Sequence, residues 1–183
     1  MIHFCCRHMN ITQKHFRQYI GLFSAVIAYY LIHEGSHLLY AEAIGTFKSV
    51  HFMGLGMQIE VFAERMTDLQ LFLFCLAGPA AALAAAWTLT LSAKRICRLP
   101  SRLIKACAYY VTLALLLIDP LYLGLLCGFV GGGDMNGISL LLPEPFARAG
   151  FAAVLAAHVF LIFRRLLPLY RAAFAGESPS SSH

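Results

Sequence analysis

Four long apolar segments, separated by short polar stretches, dominate the pattern of this chain. They cover residues 19–44, 69–93, 103–130 and 146–167. Each segment is long enough to cross a hydrocarbon layer of roughly 30 Å as an α-helix. The pattern therefore predicts an all-α integral membrane protein with about four transmembrane helices.

The remaining polar residues are too few to form a second folding unit. Residues 1–18 are predicted to form a basic cytoplasmic leader, and residues 19–170 a single transmembrane domain. Residues 171–183 contain the run GESPSSSH, which is typical of a flexible tail. We expect one compact domain with short extensions at either end.

Two connections between the segments have unusual composition. Residues 47–62, FKSVHFMGLGMQIEVF, are rich in β-formers and contain Gly54 and Gly56. They predict a short re-entrant β-hairpin after the first helix. The connection between the third and fourth segments, GGGDMNGIS, is rich in glycine, which breaks a helix and lets the backbone approach other groups closely.

Composition and charge support the membrane class. The chain is 60% hydrophobic and only 13% charged, far from an ordinary soluble domain. Lys and Arg are dense before the first segment, between the second and third, and after the fourth, and sparse in the other two gaps. This alternation predicts that both termini are cytoplasmic. Nucleic-acid binding is not expected, because no basic face carries interleaved aromatic residues.

The first segment contains the polar sequence HEGSH. On a helix, His33 and His37 lie one turn apart on the same face and can bind one metal ion. Glu34 can then reach a water molecule at that metal without binding the metal itself. This is the HExxH arrangement of zinc peptidases, in which zinc activates water and the glutamate accepts the proton. The alternative is a purely structural pair of histidines bonded to neighbouring helices.

A catalytic zinc usually has three protein ligands, so a third must come from elsewhere in the chain. Asp134 is the first choice, since the surrounding glycines open the backbone and no Lys or Arg competes for its carboxylate. Asp119 is the second, as a carboxylate deep in an apolar segment that needs a partner. Its structural alternative is a helix-kink residue beside Pro120.

Other polar residues are weaker candidates for the third ligand. Glu60 and Glu64 form the third choice, because some zinc peptidases use a glutamate downstream of HExxH. His51 is interpreted as a loop histidine, and His158 as a hydrogen-bonding residue between helices. All three choices for the third ligand stay open from the residues alone.

Three stretches of the chain together resemble the site-2 protease family of intramembrane zinc metalloproteases. They are HEGSHLLYAEAIGTFKSVHFMGLGMQI, LAGPAAALAAA and GGGDMNG. The resemblance implies that His33, His37 and Asp134 bind one Zn²⁺ per chain, and that Glu34 is the catalytic acid and base. It also implies that the hairpin holds the substrate in extended form.

The sequence therefore predicts a zinc metalloendopeptidase that hydrolyses a peptide bond of a membrane-embedded or membrane-adjacent protein. Its expected partners are a membrane protein or signal-peptide-like substrate and the lipid bilayer. The expected location is the bacterial inner membrane. The charge pattern directs the HExxH helix outward, whereas the family's helix runs towards the cytosol, so the membrane face of the site stays open.

Two other functions fit the same residues. One is a non-catalytic, metal-binding membrane scaffold, for which Glu34 would be dispensable. The other is a small metal transporter that passes ions along His33, His37, Asp119 and His158.

Overall fold

A computed structural model describes residues 2–53 and 56–176 as a helical bundle with one small β-sheet. The α-helices are α1 (Ile2–Ala43), α2 (Asp68–Cys97), α3 (Arg102–Leu121), α4 (Cys127–Val130), α5 (Asp134–Ile138), α6 (Glu144–Leu161) and α7 (Leu167–Ala175). The strands are β1 (Phe47–Met53) and β2 (Gly56–Val61). A 3₁₀ turn (Ala63–Arg65) precedes α2, and π-helical turns join α3 to α4 (Tyr122–Leu126) and α6 to α7 (Ile162–Leu166).

Three continuous helical stretches are long and apolar enough to cross a membrane. They are Asp68–Cys97, Arg102–Val130 and Glu144–Ala175. The length and composition of these helices are those of a membrane protein. The three stretches coincide with the predicted second, third and fourth spans. The predicted first span lies in α1, which is not among the three. The polar residues of HEGSH interrupt its apolar run and lower its mean hydropathy.

Local chemistry defines where the long helices begin and end. The Thr67 hydroxyl accepts a hydrogen bond from the backbone N–H of Gln70, whose side chain accepts one from the backbone N–H of Thr67. This capping box starts α2. Gly176, with φ of 90°, ends α7 in the left-handed conformation that favours glycine.

Both predicted extensions are partly helical. Residues 2–18 continue α1, and residues 171–175 continue α7. Ala173 in α7 is buried, so the ordered domain extends past the predicted start of the tail. Residues 177–183 lie outside the described residues.

Contacts between helices fix their relative directions. Gly21 and Tyr29 of α1 contact Tyr110 and Asp119 of α3, so these two helices run parallel. The imidazole of His37 in α1 contacts the carbonyl of Phe74 near the start of α2. Gly78, one turn further along α2, lies against His33 as well as His37, so those two helices are antiparallel. The hairpin and α5 therefore lie at one end of the bundle, which we call the site end.

The opposite end, which we call the basic end, consists of the α2–α3 connection and α7. The Lys105 ammonium donates to the carbonyl oxygen of Ala173 at 3.1 Å, which brings the end of α7 to the start of α3. Exposed basic residues surround this contact: Lys94, Arg95, Arg98, Arg102 and Arg171. The dense basic regions in the second half of the sequence thus meet at one end of the fold.

Each end has its own buried core. The core towards the basic end contains Ala82, Ala86, Ala93, Cys97, Leu115, Leu116, Ile162, Leu166, Tyr170 and Ala173. The core at the site end contains Ala41, Ile59, Phe74, Cys75, Leu123, Cys127, Met135, Ile138 and Ala147. The second core supports the residues described in the next section.

The predicted β-hairpin is present. β1 and β2 pair antiparallel, with Val50 opposite Ile59 and Phe52 opposite Met57. Ile59 is buried and belongs to the core at the site end, so β2 is the strand that packs on the bundle. The predicted glycine pair is described only in part, since Gly54 lies outside the described residues.

Candidate metal centre

Three side chains of the kind that bind metals converge at the site end. They are His33 and His37 of α1 and Asp134 at the start of α5, and one ligand atom from each lies within 4.8 Å of the others. The Nε2 atom of His33 is 3.2 Å from one oxygen of Asp134, and Nε2 of His37 is 3.5 Å from the other. These are the three residues that the sequence selected first.

The backbone of α1 places the two histidines. Their spacing of four residues puts both rings on the same helix face, with the two Nε2 atoms 3.2 Å apart. Both rings face α2 at Gly78. A Cβ atom built on Gly78 would collide with both imidazoles. Only glycine at this position lets α2 lie directly against the metal-facing histidines.

The glycine-rich connection after α4 delivers Asp134. Gly131 and Gly133 have φ values of 109° and 44°, which L-residues with side chains rarely adopt. The chain thereby reverses sharply and starts α5 at Asp134. A Cβ atom on Gly137 would collide with Cys75 of α2, so close packing on α2 fixes the position of α5.

Hydrogen bonds to the outer ring nitrogens set the tautomer of both histidines. Nδ1 of His37 is 2.7 Å from the carbonyl oxygen of Phe74, and Nδ1 of His33 is 3.1 Å from a carboxylate oxygen of Asp119. The Phe74 carbonyl can only accept, so Nδ1 of His37 donates. The Tyr29 hydroxyl, 3.4 Å from Nδ1 of His33, already donates its proton to Asp119, so this Nδ1 also faces acceptors and donates. In each neutral imidazole, Nε2 then carries a lone pair directed into the site.

Four electron-pair donors therefore face one another. The two Nε2 atoms and the two oxygens of Asp134 approach to 3.2–3.5 Å, and with both imidazoles neutral all four atoms offer lone pairs. A cation is the partner that balances such a cluster. Two imidazoles and one carboxylate form a nitrogen and oxygen set that suits Zn²⁺ and leaves a coordination position for water or substrate.

Glu34 lies beside the cluster without belonging to it. Its carboxylate accepts a hydrogen bond of 3.3 Å from the backbone N–H of Ile59 in β2. The side chain is only partly buried and lines the same cavity as His33 and His37. The glutamate is thus near the candidate metal position but held by the hairpin.

A cavity of about 770 Å³ opens at the site between α1, the hairpin, α3 and α5. It is large enough for several residues of a peptide. Its lining combines the candidate ligands with polar and apolar groups: Tyr29, Tyr30, His33, Glu34, His37, Gly56, Met57, Gln58, Ile59, Phe74, Cys75, Ile118, Asp119, Leu121, Tyr122, Leu126, Gly133, Asp134 and Asn136.

The carboxylates of the other candidate third ligands do not lie near the Nε2 atoms of the histidines. Asp119 contacts the opposite edge of the His33 ring, through Nδ1. Glu60 faces away on the hairpin, where Lys48 and the Ser49 hydroxyl donate to its carboxylate. Glu64 is exposed in the 3₁₀ turn. In this structure α5, rather than α3 or the hairpin, reaches the edge of the rings at Nε2.

Of two further histidines, His158 has the role expected of it and His51 does not lie in the predicted loop. His158 is buried in α6 and donates from Nδ1 to the carbonyl oxygen of Leu116 in α3 at 2.8 Å, which confirms its interhelical role. His51 lies in β1 rather than in a loop, and its Nε2 is 2.8 Å from a carboxylate oxygen of Glu60.

Sequence reasoning missed two residues that shape the site. Gly78 lies directly against the imidazole rings of His33 and His37. The Tyr29 hydroxyl donates a hydrogen bond to Asp119 at 2.5 Å. Signals for both were present in the sequence. Tyr29 is four residues before His33 and so shares its helix face, and Gly78 stands in the Ala-Gly-Pro run of α2.

Comparison of this chain with known protein families, with curated proteins and with solved structures finds no match. Membership of the site-2 protease family therefore stays a prediction from the sequence motifs. The function must be inferred from the chemistry of the residues that the fold brings together.

Proposed function

We propose that this protein is a membrane zinc metallopeptidase that hydrolyses a peptide bond of a membrane-embedded or membrane-adjacent protein. The observation that carries the proposal is the convergence of two imidazole nitrogens and one carboxylate next to a glutamate in an open cavity. His33, His37 and Asp134 would hold one Zn²⁺, and Glu34 would act as acid and base.

Each residue has a distinct task in this reaction. Bound zinc would polarise the substrate carbonyl and acidify water. Glu34 accepts a proton from the attacking water and returns it to the departing amine nitrogen. The backbone N–H of Ile59 holds the Glu34 carboxylate at the cavity wall, 3.3 Å away. Contacts of Nδ1 with the Phe74 carbonyl and the Asp119 carboxylate orient both imidazoles so that Nε2 faces the site.

The hairpin supports a protein substrate in extended form. Residues 56–59 of β2 line the cavity, and β1 occupies only one edge of β2. A peptide can add to the edge of β2 that β1 does not occupy, by backbone hydrogen bonds, which do not depend on sequence. A helical segment would have to unwind first, because its peptide groups are bonded to one another.

We further propose that the protein resides in the inner membrane of a bacterium with its basic end in the cytoplasm. The exposed arginines and lysines at the basic end support this orientation. The site would then lie in the opposite half of the membrane.

The positions of the residues on the proposed ion path argue against a metal transporter. Among residues 2–53 and 56–176, His33, His37 and Asp134 form the one cluster of three metal-binding side chains close enough to share an ion. His158 uses Nδ1 for the carbonyl of Leu116. A non-catalytic scaffold would keep the same three ligands but would not need Glu34.

Zinc content tests the site without a substrate. We expect one zinc per chain in the purified parent and loss of that zinc in His37→Ala and Asp134→Ala, measured by elemental analysis in detergent. His51→Ala, which removes an exposed imidazole, is the matched control and should keep the metal. A folded parent that takes up no zinc on reconstitution would overturn the metal site.

Cleavage tests the chemistry. A fluorescently labelled single-span peptide with a signal-peptide-like sequence, in the same micelles, should be cut by the parent. Glu34→Gln should keep its zinc and lose about 10³-fold in rate, whereas Glu64→Gln should be unchanged. Full cleavage by Glu34→Gln would rule out the assigned acid–base role. Zinc binding in the parent without cleavage of any such peptide would favour the scaffold.

A further inference from the structure

Asp119 is a carboxylate buried in the middle of a membrane-spanning helix. It is 1% exposed and lies in the stretch Arg102–Val130. A charged group at such a position is costly and is retained where it has a specific partner. Its partners are the Tyr29 hydroxyl at 2.5 Å and Nδ1 of His33 at 3.1 Å.

These contacts do not fit a helix-kink residue. Such a residue would bond to the backbone groups freed by Pro120, yet the hydrogen-bond partners of Asp119 within the described residues are both side chains of α1. Both use the same oxygen, Oδ1. The second oxygen, Oδ2, is buried and makes no hydrogen bond to any described group. The polar contacts of the carboxylate are therefore confined to Tyr29 and to the Nδ1 edge of the His33 ring.

We propose that Asp119 and Tyr29 form a positioning pair that prepares His33 to bind metal. Asp119 accepts the Nδ1 proton, which leaves the lone pair on Nε2 and increases its basicity. Tyr29 fixes the carboxylate through its hydroxyl and stacks on the His33 ring, with centroids 5.2 Å apart and an angle of 28° between planes. This inference rests on the proposed metal site.

The two histidines differ in this respect. His37 donates its Nδ1 proton to a neutral backbone carbonyl, whereas His33 donates to a carboxylate. A backbone acceptor cannot be changed by mutation, but Asp119 can. Substitution of Asp119 should therefore perturb one of the three ligands and leave the other two in place.

Cobalt binding in detergent tests the pair, because Co²⁺ reports both affinity and ligand geometry through its visible absorption. We expect Asp119→Leu to weaken Co²⁺ binding about 100-fold and Asp119→Asn about 10-fold, since Asn keeps an acceptor but loses the charge. Tyr29→Phe should weaken it only a few-fold. The absorption spectrum should change in both Asp119 variants.

Thr112→Val is the matched control. Thr112 is a buried polar residue of α3 whose hydroxyl donates to the carbonyl of Ala108, away from the site. Its variant should bind Co²⁺ like the parent with an unchanged spectrum. The pair is refuted if folded Asp119→Asn matches the parent in affinity and spectrum, or if Thr112→Val weakens binding as much as the Asp119 variants do. If the parent binds neither Co²⁺ nor Zn²⁺, the proposed metal site itself is refuted, and not only the role of the pair.

Discussion

The two ends of the helical bundle are held together by different kinds of contact. Towards the basic end, α2 presents alanines such as Ala82 and Ala86 to Leu115 and Leu116 of α3, and the core is apolar apart from a few groups. At the site end, α1 buries His33 and His37 within a few ångströms of two carboxylates. One half is held mainly by apolar packing, with single hydrogen bonds such as that from Lys105 to Ala173, and the other places its buried polar groups around the candidate metal position.

The small residues reflect this difference. Alanine suffices where helices meet through apolar side chains, as at Ala86 and Ala93. Glycine is required where a helix backbone meets a polar ring or another backbone, as at Gly78 against the histidines and Gly124 against Ala152. Each of these glycines lets groups approach more closely than any side chain would permit. At the site end, glycines therefore let the helix backbones of α2 and α5 lie directly against the neighbouring groups that form the site.

Leu115→Ala should give the largest effect on stability and should leave metal binding intact. Leu115 is fully buried in the core towards the basic end, so its truncation leaves a cavity. We expect a loss of about 2 kcal/mol in the free energy of unfolding, at the low end for core leucines because lipid removes the hydrophobic part of the penalty. Unfolding in a denaturing detergent measures it.

Leu91→Ala is the control for that change. Leu91 is 78% exposed on α2, on a surface that faces lipid in a membrane protein. It should cost little, and both variants should hold one zinc per chain. Loss of zinc from Leu115→Ala at full folding would show that the two ends are coupled.

Gly78→Ala should act at the other end with a smaller effect, on metal affinity rather than on the fold. The added methyl group collides with the His33 and His37 rings and must displace them. We expect zinc affinity to fall about 10- to 100-fold, the range seen when ligand orientation is disturbed. Competition with a chromophoric chelator gives the number.

Gly150→Ala makes the same chemical change at a position with no atom within 4 Å of the new methyl group. It should leave affinity unchanged and slightly favour the helix. Equal affinities for both alanine variants would contradict the close contact at Gly78.

Glu60 should give the smallest effect, because it lies on the exposed face of the hairpin. The Lys48 ammonium, with help from the Ser49 hydroxyl, lowers the pKa of Glu60 from 4.5 to about 2. A lowered pKa means that the contribution to stability is present above about pH 4.5 and is lost as the pH falls through about 2. Solvent and salt screen it.

Hydrogen exchange of the hairpin amides measures this contribution. Glu60→Gln should exchange slightly faster than the parent at neutral pH, and the difference should shrink as the pH falls towards 2. Glu64→Gln is the exposed control and should match the parent throughout. A difference that grows on acidification would contradict the assigned ion pair.

Much of the architecture could be predicted because it depends on local patterns. Long apolar runs, the β-rich stretch before Gly56 and the capping sequence at Thr67 are readable without tertiary contacts. The first span is the partial exception. The histidines that predict its chemistry also reduce its hydropathy, so the same residues argue for function and against an ordinary span.

The sequence by itself determined that His33 and His37 share a helix face, since four residues make about one turn. It could rank Asp134 above Asp119 but could not assign them, because both are carboxylates beside helix-breaking residues. Only the tertiary structure decided that Asp134 lies at Nε2 and Asp119 at Nδ1 of the same ring. The reason is that a histidine has two nitrogens on opposite edges, and the helices packed on each edge determine which carboxylate each nitrogen meets.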